Sequence, residues 1–359
     1  MAQSFQTLSD FLAHGHDTVI DVRSPAEFAE DHVPGAINLP VLSNEERAEV
    51  GTIYVQDNPF RARKIGAAMV FRNAADHIEH RLSHHEGSWR PLVYCWRGGQ
   101  RSGSFSWMLQ QIGWRAEVVR GGYQTYRRLV HAALYTDPLP HRLVLLDGLT
   151  GTAKTEILQQ VGQRGGQVLD LEGLAGHRGS LLGEMPGGQP DQKRFESLIA
   201  CRLMRMDPAR PVLIEAEASK IGARILPPSL WAAMKVAARI DLEVPFSARC
   251  SYLAQAYDDI LSDGDRLRAR LDTLRVHRSH AVVDRWMELI EAGDKTGLTG
   301  RLMQDHYDPA YRKARARYRS EVLARIALPS LGAPDRSRAA ETILTALAAL
   351  EGARGQLGG

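Results

Sequence analysis

Two glycine-containing loops, each placed directly after a short apolar run, constrain the fold of this chain most strongly. The first run, RPLVYC, ends at Cys95, and the second, RLVLLDG, ends at Gly148. A short apolar run that leads through a glycine turn into a helical pattern is typical of a buried parallel strand followed by a helix. Similar runs begin at Asp17, Ala116, Pro211 and Ala237. The sequence therefore predicts an α/β fold built on parallel strands.

A linker separates the two loops. In the segment 136–140 (TDPLP), two prolines bracket a leucine and prevent regular structure. The length of 359 residues also suits two domains of ordinary size. We predict a first domain over residues 1–135 and a second over residues 141–350, in which helices dominate after about residue 247. The glycine-rich end, residues 351–359, is predicted to be a disordered tail.

The composition indicates a cytoplasmic protein. Three cysteines in 359 residues cannot form a disulfide framework, so a reducing compartment is expected. The N-terminal segment lacks the basic start and the apolar run of a signal peptide, and no apolar stretch approaches the roughly 20 residues of a membrane span. The formal net charge of +3 is too small to indicate a nucleic-acid-binding protein by itself.

The densest group of reactive residues is the segment 94–103 (YCWRGGQRSG), which contains the end of the first apolar run. Its glycines let the backbone curl so that successive amides point inward, and the following helix adds its positive end. Arg97 and Arg101 add full positive charge. Together these groups stabilise the thiolate of Cys95, the reactive form, and make a cradle for an oxyanion. We therefore predict Cys95, Arg97 and Arg101 as catalytic residues, with an accessible sulfur.

Two chemistries share this loop. The spacing from Cys95 to Arg101 also matches the phosphatase signature Cys-x5-Arg, although phosphatases usually have His where this chain has Tyr94. The segments 21–28 (DVRSPAEF) and 32–40 (HVPGAINLP), together with the loop CWRGGQRS, resemble a rhodanese domain. This resemblance implies persulfide or selenenyl-sulfide chemistry, in which the thiolate takes a chalcogen atom and hands it on.

The rhodanese-like segments also contain supporting residues. The resemblance implies that Arg23 and Glu27 pair near the cysteine and that Asp21 anchors the loop. We expect these three side chains to give structural support and to take no part in the chemistry.

The second glycine-containing loop has the pattern of a phosphate-binding loop. DGLTGTAKT follows a strand and opens a helix, which is the context that a Walker A loop requires. Backbone amides, with Gly148, Gly151 and Lys154, would wrap a diphosphate or triphosphate, and Thr155 would ligate Mg²⁺. Ala153 stands where glycine is usual, which weakens the case for ATP or GTP as the ligand. The alternative is an ordinary strand-to-helix turn.

A further apolar run, PVLIEAEA, ends in acids. Glu215 resembles the acid of a Walker B strand, with Glu in place of the usual Asp. Either Glu215 or Glu217 would hold Mg²⁺ through water. Simple solvent exposure of these carboxylates is the alternative.

Over nearly its full length the chain resembles the tRNA 2-selenouridine synthases, which join a rhodanese domain to a P-loop domain. The segments that carry this resemblance are 148–158 (GLTGTAKTEIL), 171–180 (LEGLAGHRGS), 189–196 (QPDQKRFE), 214–222 (IEAEASKIG) and 306–311 (HYDPAY). The resemblance implies an α/β protein with a rhodanese-like N-terminal domain and a P-loop NTPase-like C-terminal domain that ends in a helical region.

The resemblance further implies two linked reactions on the wobble uridine of certain tRNAs. The sulfur of 2-thiouridine is alkylated with the geranyl group of geranyl diphosphate, and selenium from selenophosphate then replaces the geranylated sulfur. Lys154 would stabilise the leaving pyrophosphate, and Cys95 would serve the selenium step. His177 and Arg178 either contact pyrophosphate or tRNA or form a surface loop. No tightly bound cofactor is expected beyond these co-substrates, with Mg²⁺ as a candidate ion.

Two basic segments are candidates for the tRNA surface. One lies in a stretch of helical character over roughly residues 42–88, and the other is interleaved with tyrosines. Their basic residues are Arg61, Arg63 and Lys64 in the first, and Arg312, Lys313, Arg315 and Arg317 in the second. Such segments either follow a phosphate backbone or form a solvated helix face.

Other functions are compatible with parts of the sequence. A rhodanese-type sulfurtransferase with a nucleotide-binding P-loop regulatory domain would hydrolyse ATP and ignore tRNA. A non-catalytic RNA-binding module would not need the thiolate of Cys95. A phosphatase would not need the rhodanese pattern upstream of the loop.

Overall fold

A computed structural model describes residues 2–276, 278–315 and 321–355, without the side chains of residues 314, 315 and 353–355. The chain forms two compact units. The first unites Met1–Pro138 with Pro190–Arg205, and the second unites Leu139–Gln189 with Met206–Gly359. Each unit contains a five-stranded parallel sheet with helices, so the α/β class predicted from the sequence is confirmed. No helix in the described part of the chain has both the length and the apolar character needed to cross a membrane.

The first unit is built on a sheet with the strand order β1-β5-β4-β2-β3, in which every pairing is parallel. Its strands are β1 (Ala2–Gln3), β2 (Thr18–Asp21), β3 (Ile37–Asn38), β4 (Pro91–Tyr94) and β5 (Glu117–Val119). Its helices are α1 (Leu8–Leu12), α2 (Pro25–Glu30), α3 (Asn44–Gln56), α4 (Pro59–His77), α5 (Gln100–Ile112), α6 (Gly122–His131) and, from the later segment, α9 (Gln192–Met204), with π-helical turns at Ile78–Leu82 and Ala132–Thr136. Strand β4 is buried along its whole length, as expected for a parallel strand covered on both faces.

A helical hairpin of α3 and α4 follows the third strand. Ser43 accepts a hydrogen bond from the Glu46 amide, and the Glu46 carboxylate accepts one from the Ser43 amide. This capping box satisfies two amides that the start of a helix leaves open. Asn58 caps α4 through its side-chain oxygen, with Pro59 at the first helical position. The helical character predicted for residues 42–88 is confirmed.

Helix α9 comes from the second half of the sequence but packs within the first unit. Its first two turns hold residues 30–32 through three contacts. These join Lys193 to Glu30 (2.5 Å), Arg194 to the His32 carbonyl oxygen (2.8 Å) and Ser197 to the Asp31 carboxylate (2.8 Å). The division predicted at residues 135 and 141 places this helix with the second domain, whereas its contacts place it with the first.

The main sheet of the second unit has the strand order β12-β11-β6-β8-β7, and every pairing within this sheet is parallel. The strands of the unit are β6 (Leu143–Gly148), β7 (Gln167–Leu169), β8 (Val212–Glu215), the hairpin β9 (Lys220–Ile221) and β10 (Arg224–Ile225), β11 (Ala238–Glu243) and β12 (Val322–Ala327). Its helices are α7 (Lys154–Gln163), α8 (Leu171–Ala175), α10 (Pro228–Val236), α11 (Phe246–Ala256), α12 (Asp258–Leu261), α13 (Gly264–Asp272), α14 (His280–Glu291), α15 (Lys295–Leu302), α16 (Asp308–Arg315) and α17 (Ala333–Gly355), with a 3₁₀ turn at Thr273–Val276 and a π-helical turn at Met303–Tyr307. Because the strands after β6 add to both of its sides, the carboxyl end of β6 is a topological switch point, where open parallel sheets bind ligands.

The C-terminal part of the second unit differs from the sequence prediction in two places. It is mostly helical after residue 247, as predicted, but strand β12 interrupts the helices and pairs with β11 at the edge of the sheet. Residues 351–355, predicted to belong to a disordered tail, continue α17. The helix persists because Ile343 and Leu347 pack in the core and Glu351 pairs with Arg210. Residues 356–359 of the predicted tail lie outside the described residues.

Candidate active sites

The cysteine loop, defined here as Cys95–Arg101, begins at the carboxyl end of β4, the central strand of the first sheet. Cys95 packs in an apolar cluster with Val93 and Phe105 and is 4% exposed. Its Sγ accepts a hydrogen bond from Ser102 Oγ at 3.2 Å. The sequence predicted an accessible sulfur, but the residue is largely enclosed because it follows directly on a buried strand. A reagent must therefore be small enough to reach the sulfur of Cys95 at the bottom of the loop.

Close backbone packing fixes the shape of the cysteine loop. Gly98 has a φ of 64° and Gly122 a φ of 59°, in the left-handed region that favours glycine. The Tyr123 amide donates to the Cys95 carbonyl oxygen at 2.8 Å. No acceptor within the described residues takes a hydrogen bond from the amides of residues 97–102. These amides, at the start of the 13-residue helix α5, are therefore open to an anion.

The two arginines of the cysteine loop have different surroundings. Arg97 is exposed, whereas Arg101 is largely buried and donates from Nη1 to Glu27 Oε2 at 3.0 Å. Burial disfavours the ionised form of Glu27, but the hydrogen bond and charge of Arg101 outweigh burial and lower the pKa of this carboxyl. The carboxylate of Glu27 balances the positive charge of Arg101. Arg97 is therefore the exposed cation of the loop.

Arg23 pairs with Asp21 and not with Glu27, which corrects the pairing that the rhodanese resemblance implied. The Arg23 Nη2 and Asp21 Oδ2 atoms are 2.6 Å apart, and both side chains are fully buried. A buried guanidinium needs a carboxylate in the same enclosed site, while Glu27 is held by Arg101. The Arg23 guanidinium also lies 3.9 Å from the centroid of the Tyr123 ring, whose amide supports Cys95.

Gly122→Ala is expected to destabilise the first unit. A Cβ at residue 122 would lie 2.5 Å from the Gly98 amide nitrogen and closer still to the Cys95 carbonyl oxygen. Backbone atoms cannot turn aside as the end of a side chain can, so the free energy of unfolding should fall by about 2–4 kcal/mol. Denaturant unfolding measures this change. In the control variant Gly103→Ala the added methyl meets nothing within 4 Å, and equal losses in both variants would contradict the prediction.

The lysine loop, defined here as Gly148–Thr155, joins β6 to α7 at the switch point of the second sheet. Among the described residues, Ala153 is the one non-glycine with a positive φ, at 56°. The left-handed conformation costs an L-residue roughly 1–2 kcal/mol. Ala153 thus adopts a glycine-like backbone, and it packs in the core cluster with Ile157. Lys154 Nζ donates to the Gly148 carbonyl oxygen at 3.0 Å.

Thr155 and two carboxyl groups lie together next to the lysine loop. Thr155 Oγ1 donates to Glu172 Oε2 at 2.7 Å. Burial raises the pKa of Glu172, and burial together with the charge of Glu172 raises the pKa of Glu217 to about 8. The negative charge of one carboxyl disfavours ionisation of the other, and with a pKa of about 8 Glu217 keeps its proton near neutral pH. The sequence pointed to Glu217 but not to Glu172.

Glu215 has different surroundings from this pair. It is fully buried at the end of β8, and its Oε2 accepts from the Leu171 amide at 2.8 Å. Burial raises its pKa well above the ordinary range. Glu217 lines the cavity beside the lysine loop and Glu215 does not, which makes Glu215 a link between β8 and α8. In the described part of the chain, no group of three or more His, Cys, Asp or Glu side chains is arranged to hold a metal ion.

A cavity of about 830 Å³ opens beside the lysine loop. Its volume lies within the range of pockets for small ligands and cofactors. The lining combines the polar loop and the Glu172–Glu217 pair with a group of large apolar and aromatic side chains. This second group comprises Trp231, Met234, Tyr252, Leu253, Tyr257, Tyr307 and Tyr311. A ligand with one anionic and one apolar part suits this lining.

The helical region fixes the lysine loop from the side of the cavity. Arg249 is buried, donates to the Thr150 carbonyl oxygen at 2.9 Å and pairs with Asp308 at 2.9 Å. Tyr311, three residues after Asp308, donates to the carboxylate of Asp147, which immediately precedes the loop. Sequence reasoning missed these residues because Tyr311 and Asp147 are 164 positions apart. The resemblance of the segment 306–311 pointed to Asp308 and Tyr311, whereas no sequence signal singled out Arg249.

His177 and Arg178 have separate surroundings. Arg178 lines the cavity, lies 4.9 Å from the centroid of the Tyr257 ring and pairs with Asp259 at 3.2 Å. His177 is buried, and burial with the nearby charge of Arg270 lowers its pKa. His177 is therefore a neutral buried group. Of these two residues, Arg178 is the one whose side chain can contact an anion bound in the cavity.

The basic residues singled out from the sequence lie on two helices. Arg61, Arg63 and Lys64 are exposed on α4. Arg312 and Lys313 are exposed on α16, while the side chain of Arg315 and all of Arg317 lie outside the described residues. Both described groups are accessible to a polyanion.

Glu217→Gln is expected to change the pH dependence of stability. The carboxyl has an ordinary pKa of 4.5 and a folded pKa of about 8, so between these values the folded state keeps a proton that the unfolded state has released. Stability of the parent protein therefore falls as pH rises through this window, and the variant lacks that loss. Between pH 5 and pH 8 the free energy of unfolding of the variant should rise, relative to that of the parent, by on the order of 1–3 kcal/mol.

Chemical unfolding at several pH values, without added divalent cations, tests this expectation. Glu288→Gln removes an exposed carboxyl and is the control. Parallel pH profiles of Glu217→Gln and the parent would contradict the raised pKa of Glu217.

Comparison with protein families matches both units. A model of the rhodanese-like domain matches residues 4–129, and a model of the tRNA 2-selenouridine synthase AAA domain matches residues 141–263. The fold and its two loops thus define a protein that joins a rhodanese-like domain to an AAA-type phosphate-loop domain.

Curated relatives cover most of the chain. The tRNA 2-selenouridine synthase of Alcanivorax borkumensis is 33% identical in an alignment 337 residues long, and the match covers 85% of this chain and 90% of that protein. The synthase of Salmonella schwarzengrund is 33% identical in an alignment 328 residues long, and the match covers 82% of this chain and 88% of that protein. The solved rhodanese-related protein of Thermoplasma volcanium aligns at 19% identity with a TM-score of 0.22, over 35% of this chain and 92% of its own. The chain belongs to the tRNA 2-selenouridine synthase family.

Proposed function

We propose that this chain modifies the wobble 2-thiouridine of tRNA in two steps. Geranyl diphosphate first alkylates the sulfur, and selenium from selenophosphate then replaces the S-geranyl group to give 2-selenouridine. The names of the relatives support tRNA as the substrate and selenation as the outcome. The observation that carries the two-step proposal is the cavity, whose lining combines the polar lysine loop with large apolar and aromatic side chains.

The lysine loop suits the leaving group of the first step. The 2-thiouridine sulfur forms a bond to C1 of the geranyl group, the C1–O bond to the diphosphate breaks, and the base releases its N3 proton. Charge develops on the departing diphosphate, where Lys154 and the loop amides stabilise it. Lys154 Nζ, which now donates to the Gly148 carbonyl oxygen, is within the loop that the phosphate would fill.

The apolar lining suits the hydrocarbon of geranyl diphosphate better than a sugar and a purine. Trp231 and Met234 lie one helical turn apart on α10 and share a face. Leu253 on α11 and Tyr257, the residue that follows α11, are also one turn apart, because the Tyr257 amide donates to the Leu253 carbonyl oxygen at 3.0 Å. A geranyl chain would bury these surfaces at roughly 0.8 kcal/mol for each methylene removed from water. This lining favours a prenyl diphosphate over a nucleotide at the lysine loop.

Magnesium fits the same site. Thr155 Oγ1 and the carboxyls of Glu172 and Glu217 are hard oxygen donors of the kind that Mg²⁺ prefers. These three side chains would hold the ion, which when bound would neutralise part of the charge of the diphosphate.

The cysteine loop suits the donor of the second step. The Cys95 thiolate attacks the phosphorus of selenophosphate, the P–Se bond breaks, and selenide is released. Selenide attacks C2 of the base, geranyl thiolate leaves, and water then hydrolyses the phosphocysteine to phosphate and the free thiol. Selenium keeps its oxidation state, so the exchange needs no reductant. The open amides of residues 97–102 and the exposed Arg97 can bind such a small anion at the start of α5. Cys95 lies at the base of this cradle.

Mass spectrometry of tRNA nucleosides tests the proposal. The full chain is incubated with 2-thiouridine-containing tRNA and with geranyl diphosphate and selenophosphate, singly and together. Geranyl diphosphate alone should give S-geranyl-2-thiouridine, and both donors together should give 2-selenouridine. Selenation of non-geranylated tRNA at the same rate would contradict the order of steps. Hydrolysis of ATP without any change in tRNA would support a nucleotide-regulated sulfurtransferase.

A further inference from the structure

Exposed aromatic side chains are concentrated on one part of the first unit. Among the described residues, six large aromatic side chains are exposed, and four of them lie on α3, α4 and α5. Their exposed fractions are 55% for Tyr54, 63% for Phe60, 40% for Phe71 and 54% for Trp107. Single exposed apolar residues are ordinary on a protein surface, but a group that is contiguous marks an interaction site.

The aromatic residues of α4 and α5 form a continuous face. Phe60, Lys64 and Phe71 follow one another at intervals of four and seven residues, which places them on one side of α4. Lys64 Nζ lies 5.3 Å from the centroid of the Phe60 ring. The ring of Trp107 on α5 meets Phe71 edge to face, with centroids 6.5 Å apart. This α4–α5 face, from Phe60 to Trp107, extends roughly 16 Å along α4.

The charge on α4 indicates what the α4–α5 face binds. The helix has four basic side chains, Arg61, Arg63, Lys64 and Arg72, against one acidic side chain, Asp76. Arg61 pairs with Asp57 across a gap of 2.6 Å, but both side chains are about half exposed, so this pair is weak. A second copy of the chain would bring the same cations face to face. A polyanion with flat apolar groups matches both the charge and the aromatic rings.

We propose that the α4–α5 face binds the tRNA, with unpaired bases stacked on Phe71 and Trp107 and phosphates beside the basic residues of α4. Proteins recognise RNA loops through bases splayed out against aromatic side chains, combined with cations along the backbone. The inference rests on the proposed tRNA substrate and adds where and how the RNA is held. The sequence pointed to Arg61, Arg63 and Lys64, whereas the aromatic part of the face depends on α4 and α5 lying side by side.

Fluorescence anisotropy with labelled unmodified tRNA and the full-length protein, at several salt concentrations, tests the inference. Phe71→Ala combined with Trp107→Ala should weaken binding at least tenfold without changing the salt dependence, because stacking is not ionic. Lys64→Ala combined with Arg72→Ala should lower the slope of log Kd against log salt by about two. Unchanged affinity and slope in both double variants would overturn the proposal.

Matched controls separate this inference from the proposed function. Val236→Ala and Arg115→Ala remove an exposed apolar side chain and an exposed cation that lie elsewhere. Losses of tRNA affinity in the controls equal to those in the double variants would also overturn the assignment of tRNA binding to the α4–α5 face. A parent protein that binds no tRNA and modifies none would refute the proposed function itself. Loss of dimers or of vesicle binding in the double variants, with RNA binding intact, would assign the face to another partner and overturn the proposal.

Discussion

Cys95→Ser is expected to abolish selenation and to leave geranylation within about twofold of the parent rate. Cys95 begins the cysteine loop of the first unit, whereas the lysine loop and its cavity belong to the second unit. A serine hydroxyl at this position is not ionised near neutral pH and is a far weaker nucleophile. We expect selenation to fall by about a thousandfold or more, which corresponds to about 4 kcal/mol in the barrier.

Two assays on purified variants check this result. Conversion of S-geranyl-2-thiouridine tRNA to 2-selenouridine tRNA measures the selenium step alone, and conversion of 2-thiouridine tRNA with geranyl diphosphate measures the first step alone. Cys201→Ser is the matched control, because Cys201 is also buried in the first unit and burial raises the pKa of its thiol. Selenation retained in Cys95→Ser would show that Cys95 takes no part in the selenium step. Equal loss in Cys201→Ser would point to unfolding.

The cysteine loop could be predicted from the sequence because its parts are adjacent in the chain. The glycines, the arginines and the helix start all lie within ten residues of Cys95, and the resulting cradle is present. Its supports could not be predicted in the same way. Which carboxylate pairs with Arg23 or Arg101 depends on burial and on the packing of α2 against the loop. The enclosure of Cys95 likewise follows from the position of β4 at the centre of the sheet.

The lysine loop shows the same division between local and distant information. The strand, the turn and the helix that opens at Lys154 were predicted from one short segment and are confirmed. The acid beside Thr155 is Glu172, from a different segment, and Tyr311 comes from the C-terminal helices. A single sequence gives no measure of which distant residues meet in space. The placement of α9 with the first unit could not be predicted for the same reason, because the residues that α9 contacts lie about 160 positions away in the sequence.

Lys154→Ala is expected to slow geranylation by about 10²–10³-fold and to leave the selenation of already geranylated tRNA unchanged. In the proposed first step the ammonium group of Lys154 stabilises the leaving diphosphate, and loss of one such group costs about 2.7–4 kcal/mol in the transition state. Lys154 also lies 5.5 Å from the Tyr311 ring, at the junction of the polar loop and the aromatic lining.

Single-turnover assays with geranyl diphosphate measure the first step. The control is Lys220→Ala, which removes an exposed lysine outside the cavity. An unchanged geranylation rate in Lys154→Ala would place the prenyl donor elsewhere, whereas a parallel loss of selenation would show that the two loops do not act on separate steps.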